Sequence, residues 1–208
     1  GYVCAHLIQM GIDEPTVFMG ADYHIGDVER FVDVIKTATE LAKKDKIVTI
    51  GIKPRRVETR FGYIDLGEMI PDTDVPAYEV QSFTEKPNET LAKEYIAHGY
   101  LWNSGMFVVK PSILYDNFRR FMPRLYEALE SIRKANFDAK TAYDLFLPLE
   151  KISIDYGIME QTTNLTVVKG DFEWDDIGTW DSLERILEPD ENGNIVKGTF
   201  LGIESENC

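Results

Sequence analysis

Between residues 15 and 52 the chain carries a pattern that few architectures accommodate. A short apolar run, PTVFMG, ends at Gly20 and is followed by the loop ADYHIGD. From Asp27 to about Lys44 the apolar residues Val28, Phe31, Val32, Ile35, Ala38, Leu41 and Ala42 recur at steps of three and four, the spacing of a one-faced helix. Asp27 is placed to cap that helix, and Lys43 and Lys44 suit its negative end. A second apolar run, Ile47 to Ile52, follows directly. Strand, helix and strand in so short a span predict an α/β fold with a mixed, mainly parallel sheet.

The rest of the chain decorates that sheet. FGYIDLGE and AYEVQSFTEKP are β-prone and flank the turn-rich residues 71–76, which predicts an inserted β-ribbon ending at Pro87. A helix is expected from Asn88 to His98, with Gly99 just beyond it. MFVVK and NLTVVKG read as strands, residues 111–135 as helix broken at Pro123, and GTWDSLERIL as the start of a last helix. Residues 1–10 already look helical. The expected division is a core over 1–188 and the start of a C-terminal β-rich region over 189–208.

With 44% hydrophobic residues, the 208-residue chain has ample material for one large core. Its formal charge of −14 opposes binding to nucleic acid or to an anionic membrane surface. A phosphorylated small molecule stays allowed, because a bound divalent cation reverses the local field. No apolar run is long enough to span a bilayer. Cys4 and Cys208 show no metal-binding or redox spacing, which suits a reducing, cytoplasmic setting.

Five places carry residue types suited to chemistry, and each also has a plain structural reading. Asp22 follows the first strand, where ligands bind in open α/β sheets, yet aspartate is common in turns. In WDDIGTW, Asp175 or Asp176 offers hard oxygen for Mg²⁺, or simply caps a helix. Glu85 and Lys86 offer an acceptor for sugar hydroxyls and a cation for phosphate, or an exposed ion pair. Lys86 precedes a proline and is expected to be extended. Asn103, beside Gly105 in WNSG, has the donor and acceptor that a pair of hydroxyls needs, or sits in a turn. Gly62, between two aromatics, marks a close approach or a bulge. The histidines, His24 included, form no ligand spacing.

The order of these blocks adds information. G-A-D-x-H-I, G-I-K-P-x-R-x-E-T-x-F-G-Y-I, F-x-E-K-P, W-N-S-G-M-F, S-I-D-Y-x-x-M-E and W-D-D-I-G-T-W follow one another from residue 20 to residue 180. This series resembles the mannose-1-phosphate guanylyltransferase family of sugar-nucleotide enzymes. The resemblance implies a Rossmann-like nucleotidyltransferase fold and transfer of GMP from GTP to mannose 1-phosphate, with Mg²⁺ as cofactor. It implies that Asp22 and Asp176 hold the metal, that Lys86 engages the sugar phosphate, and that Gly62, Glu85 and Asn103 contact the sugar. Asp155 lies in a family block without an implied contact.

Two departures stand out: Tyr23 occupies a position where the family usually has histidine, and a glycine-rich nucleotide loop is missing from the first twenty residues. The sequence is therefore expected to be an inactive fragment, truncated at both ends. Glucose 1-phosphate with another nucleotide, or a non-catalytic subunit of the same fold, are the competing readings. Self-association into a homo-oligomer is left open.

Overall fold

A computed structural model describes residues 1–208 and shows a mixed sheet between two layers of helices. Helix α1 (Tyr2–Gln9) precedes the strand β1 (Thr16–Phe18) and a two-residue strand, β2 (His24–Ile25). Helix α2 (Val28–Lys43) opens on Asp27, whose carboxylate accepts from the Arg30 amide at 3.0 Å, and leads into β3 (Ile47–Ile52). The ribbon is β4 (Tyr63–Ile70) and β5 (Ala77–Thr84). Asn88 caps α3 (Glu89–Ala97), and the long strand β6 (Leu101–Val109) follows. Pro123 ends one helix, α4 (Pro111–Phe121), and begins the next, α5 (Pro123–Lys134). After α6 (Ala139–Phe146) comes a single turn of π-helix (Asp155–Met159), then β7 (Leu165–Gly170) and β8 (Trp174–Asp175), which pairs with β2. The last helix, α7 (Leu183–Ile186), is one turn long and follows a 3₁₀ turn at Trp180–Ser182.

Strand polarity corrects the expectation of a mainly parallel sheet. β1, β3, β4 and β7 do run one way, but β3 and β7 are the one parallel neighbouring pair. The reason is β6. It returns antiparallel between β1 and β3, so the two strands joined by α2 never touch. The ribbon pairs with β6 at its base (Tyr63 with Trp102) and with β7 near its tip (Ala77 with Val168). Hydrogen bonding therefore closes a circuit, β4–β6–β3–β7–β5–β4.

Period-two alternation divides the core. Val48, Ile50 and Ile52 of β3 face α2 in one cluster with Trp102, Met106 and Val108 of β6. Ile47, Phe107 and Val109 face the other way, toward α1, α4 and α5. A third, small cluster of Ile64, Leu101 and Val167 belongs to the strand circuit. β1 is only half-buried, not the buried strand its apolar run suggests, because it pairs with β6 alone. Residues 189–208 form turns without a strand: Phe200, Leu201 and Ile203 are exposed and no strand pairs with them. No helix is long and apolar enough to cross a membrane.

Candidate active site

A cleft of about 140 Å³ opens where the ribbon base meets β6 and the turn after β8. Tyr23, Arg60, Phe61, Gly62, Glu85, Asn103, Ser104, Gly105, Asp155, Trp174 and Asp176 line it. Four of the six expected residues, Gly62, Glu85, Asn103 and Asp176, meet here. Asp22 and Lys86 do not line the cleft. Asp22 is exposed in the β1–β2 loop, and Lys86 sits at the rim, ion-paired to Glu85.

Asn103 is aimed by a bulge. Between Thr49 and Gly51 of β3, β6 advances from Phe107 to Asn103, two residues more than its partner. Gly105 absorbs the excess at φ +73°, a conformation that a side chain disfavours. The expected turn at WNSG is thus a bulged part of the strand. The amide oxygen of Asn103 accepts from the Thr49 hydroxyl (2.8 Å) and the Gly105 N–H (3.3 Å), while its Nδ2 donates to Asp155 Oδ1 (3.0 Å).

The π-turn holds the opposite wall. The Glu160 N–H donates to the Asp155 carbonyl, the i+5 bond of a π-helix, a form found often at functional sites. Three residues of this block reach the cleft or its rim. Asp155 takes Asn103, the Tyr156 ring lies 5.6 Å from Lys86 Nζ, and Glu160 Oε1 accepts the Glu85 amide at 2.8 Å. Asp155, whose role the sequence leaves open, is therefore part of the site.

Gly62 precedes β4 and serves close approach, not a bulge: a Cβ there would lie 2.6 Å from Glu85 Oε2. Glu85 Oε2 is buried without a hydrogen-bond partner. Burial pushes this carboxyl above its ordinary value, against the pull of Lys86. Lys86 has φ +48° and is not extended; it is held there by its amide bond to the Phe61 carbonyl (3.2 Å) and its ion pair.

The neighbours Asp175 and Asp176 have different environments. Burial opposes ionisation of Asp175, but Arg185 grips it through Nε (2.6 Å) and Nη2 (2.8 Å) and holds its carboxyl below the ordinary range. Asp176 has no such partner. Its Oδ1 is buried and unpaired, and burial first, then the Asp175 charge, raise its carboxyl despite a backbone hydrogen bond from Gly178.

Tyr23 and Arg60 also line the cleft, and motif reading assigned neither of them to it. The Tyr23 ring packs edge-on against Trp174 at 5.6 Å. Burial raises its phenol, as do the carboxylates of Asp22, Asp176 and Asp155 around it. The departure noted at Tyr23 was the available signal. Four larger cavities, of about 570, 400, 420 and 440 Å³, contain none of the unpartnered carboxylate oxygens.

The chain as a whole has known relatives. The profile of the Nucleotidyl transferase family matches residues 3–193. A mannose-1-phosphate guanylyltransferase of Klebsiella pneumoniae is 34% identical over 203 residues, covering 95% of this chain and 43% of its own length. The alginate biosynthesis protein AlgA of Pseudomonas aeruginosa is 36% identical over 213 residues, covering 97% of this chain and 43% of its own. The chain thus spans about two fifths of these curated relatives. A solved structure from Thermus thermophilus, described as a mannose-1-phosphate geranyltransferase, superposes with a TM-score of 0.79 at 36% identity, over 91% of this chain and 54% of that one. A Helicobacter pylori structure described as a mannose-6-phosphate isomerase shares the fold at a TM-score of 0.71 and 24% identity, over 84% of this chain and 68% of that one. With its mixed sheet and its cleft at the ribbon base, this chain belongs to the nucleotidyl transferase family.

Proposed function

We infer that the cleft binds mannose 1-phosphate for the transfer of GMP from GTP, giving GDP-mannose and pyrophosphate. The carrying observation is the convergence of Gly62, Glu85, Asn103 and Asp176 in one small cleft with two carboxylate oxygens buried and unpartnered. Nature rarely leaves such atoms without a use. The volume suits a sugar ring; pockets that enclose a drug-sized ligand run to about 300–1,000 Å³. The names of the relatives support mannose 1-phosphate over glucose 1-phosphate.

Glu85 Oε2 accepts from a sugar hydroxyl, and Gly62 keeps the space in front of it open. Asn103, held by Thr49 and Asp155, presents its amide in one orientation. Lys86 at the rim engages the sugar phosphate. The nucleophile is already a phosphate oxygen anion, so alignment and charge complementarity suffice and no strong base is required. The residues also fit Mg²⁺: the free Oδ1 of Asp176 is a hard oxygen donor, Asp22 lies in the adjoining loop, and one or two carboxylates are the usual protein share for this ion. When bound there, the ion neutralises phosphate oxygens and orients them.

Calorimetric titration of the chain with mannose 1-phosphate and glucose 1-phosphate in Mg²⁺ tests the sugar assignment. The mannose compound is expected to bind more tightly; equal binding, or none, refutes it. Asp176→Ala and Asp22→Ala should each weaken Mg²⁺-dependent binding of GTP and mannose 1-phosphate, and unchanged affinity in both would overturn the metal assignment.

A further inference from the structure

Arg60 is the one cationic side chain that lines the cleft, among the carboxylates of Glu85, Asp155 and Asp176. It is held there by Glu58. The Glu58 carboxylate is 10% exposed and receives Arg60 Nε at 3.0 Å, Arg60 Nη2 at 2.9 Å and the Arg60 amide at 3.1 Å. Glu58 is anchored in turn. Its carbonyl accepts from the Tyr63 hydroxyl (2.9 Å), and its amide donates to that oxygen (3.3 Å). Arg56 adds a weaker contact to Glu58 at 3.4 Å and stacks its guanidinium 5.1 Å from the Trp102 ring. The ion pair uses the Nε–Nη2 edge of Arg60 and leaves Nη1 outside it. A guanidinium gripped on one edge is preorganised to offer the other to an anion, whereas a lysine ammonium lacks that fork.

We propose that Arg60 is an anion-binding residue of the cleft that takes a phosphate oxygen through Nη1, and that Glu58 is the positioning residue that aims it. This rests on the reading of the cleft as a sugar-phosphate site, and it adds a phosphate contact from within the cleft to that of Lys86 at the rim. In a chain of net charge −14 the segment Lys53–Arg60 holds four cations, Lys53, Arg55, Arg56 and Arg60, against Glu58 alone. Of these only Arg60 lines the cleft, where it supplies the one positive charge beside Glu85, Asp155 and Asp176.

The test is titration of the chain with inorganic phosphate and with mannose 1-phosphate. Arg60→Gln should lower the unfolding midpoint, since Glu58 loses its partner, but keep the wild-type circular dichroism at 25 °C, and under those folded conditions it should weaken both probes about tenfold or more, the usual scale for a charge-assisted hydrogen bond. Arg60→Lys should recover only part of the loss. Glu58→Gln should weaken phosphate in the wild-type background and add nothing to Arg60→Gln. It should also remove the Arg60 Nε–Hε NMR signal that a locked guanidinium gives. Arg60→Gln binding as well as wild type, full additivity of the two substitutions, or wild type binding neither probe overturns the proposal. If phosphate binds through Arg60 but mannose 1-phosphate binds no better than inorganic phosphate, this inference stands and the sugar assignment fails.

Discussion

At the scale of the residue, the cleft holds two carboxyls, Glu85 and Asp176, in surroundings that disfavour their charge. Asp176 ionises against its surroundings, so its charged form detracts from stability above its raised folded value. Asp176→Asn should raise the unfolding midpoint at pH 7 while weakening Mg²⁺ binding, the exchange of stability for function expected at a built site. Calorimetric scans of both proteins, with and without Mg²⁺, check both halves. Glu58 has the opposite sign. Arg60 lowers its carboxyl to about 2 from an ordinary 4.5. Its contribution is complete above about pH 4.5 and disappears as the pH falls toward 2. Glu58→Gln should therefore flatten the loss of urea resistance between pH 5 and pH 3, and an unchanged slope would count against the pair. Much of this scale was legible in the sequence. Four of six expected residues meet in one cleft; their types and turn or strand-end positions marked them weakly, and the resemblance carried by the ordered blocks implied their roles. The choice between Asp175 and Asp176 was not legible from types or spacing, since it depends on Arg185, ten residues away.

Elements place those residues. Gly105→Ala would force a β-carbon into a left-handed conformation and within 2.6 Å of the Tyr23 hydroxyl. A loss of about 1–2 kcal/mol in chemical denaturation is expected from the conformation alone, together with weaker mannose 1-phosphate binding as Asn103 shifts. Arg185→Met leaves the Asp175 carboxylate buried with the Ile177 amide but without its cation, and should lower stability by roughly 3 kcal/mol at pH 7. Asp175 draws stability from its ion pair above the ordinary carboxylate range and loses it as the pH falls, so the deficit of the variant should shrink in acid. Denaturation curves at pH 7 and pH 3.5 measure the difference. The long helix α2, the ribbon and the break at Pro123 were readable from periodicity and turn chemistry. The β6 bulge and the π-turn were not. Each is defined by which partner a backbone group meets, and WNSG and SIDYGIM carry no periodicity that reveals it.

Over the whole molecule, the two large clusters share one sheet, while the C-terminal turns hold mainly to themselves. Asn194 is buried, but its bonds run to Asp190, Ser205 and Cys208. Removing residues 190–208 should leave the unfolding midpoint within a few degrees of the full chain, as read by circular dichroism. The strand circuit has a different consequence. Strands paired on both sides offer no template to a second molecule; the open edge left by β1 is only three residues long, and the ribbon is joined to the sheet at its base and near its tip. Lifting the ribbon from Trp102 and Val168 would bare unpaired backbone on β6 and β7. The same movement would carry Gly62 and Glu85 away from Asn103. The partly opened state prone to aggregation is thus also the state in which the cleft no longer exists, so ligands that seat there should slow precipitation in proportion to their affinity.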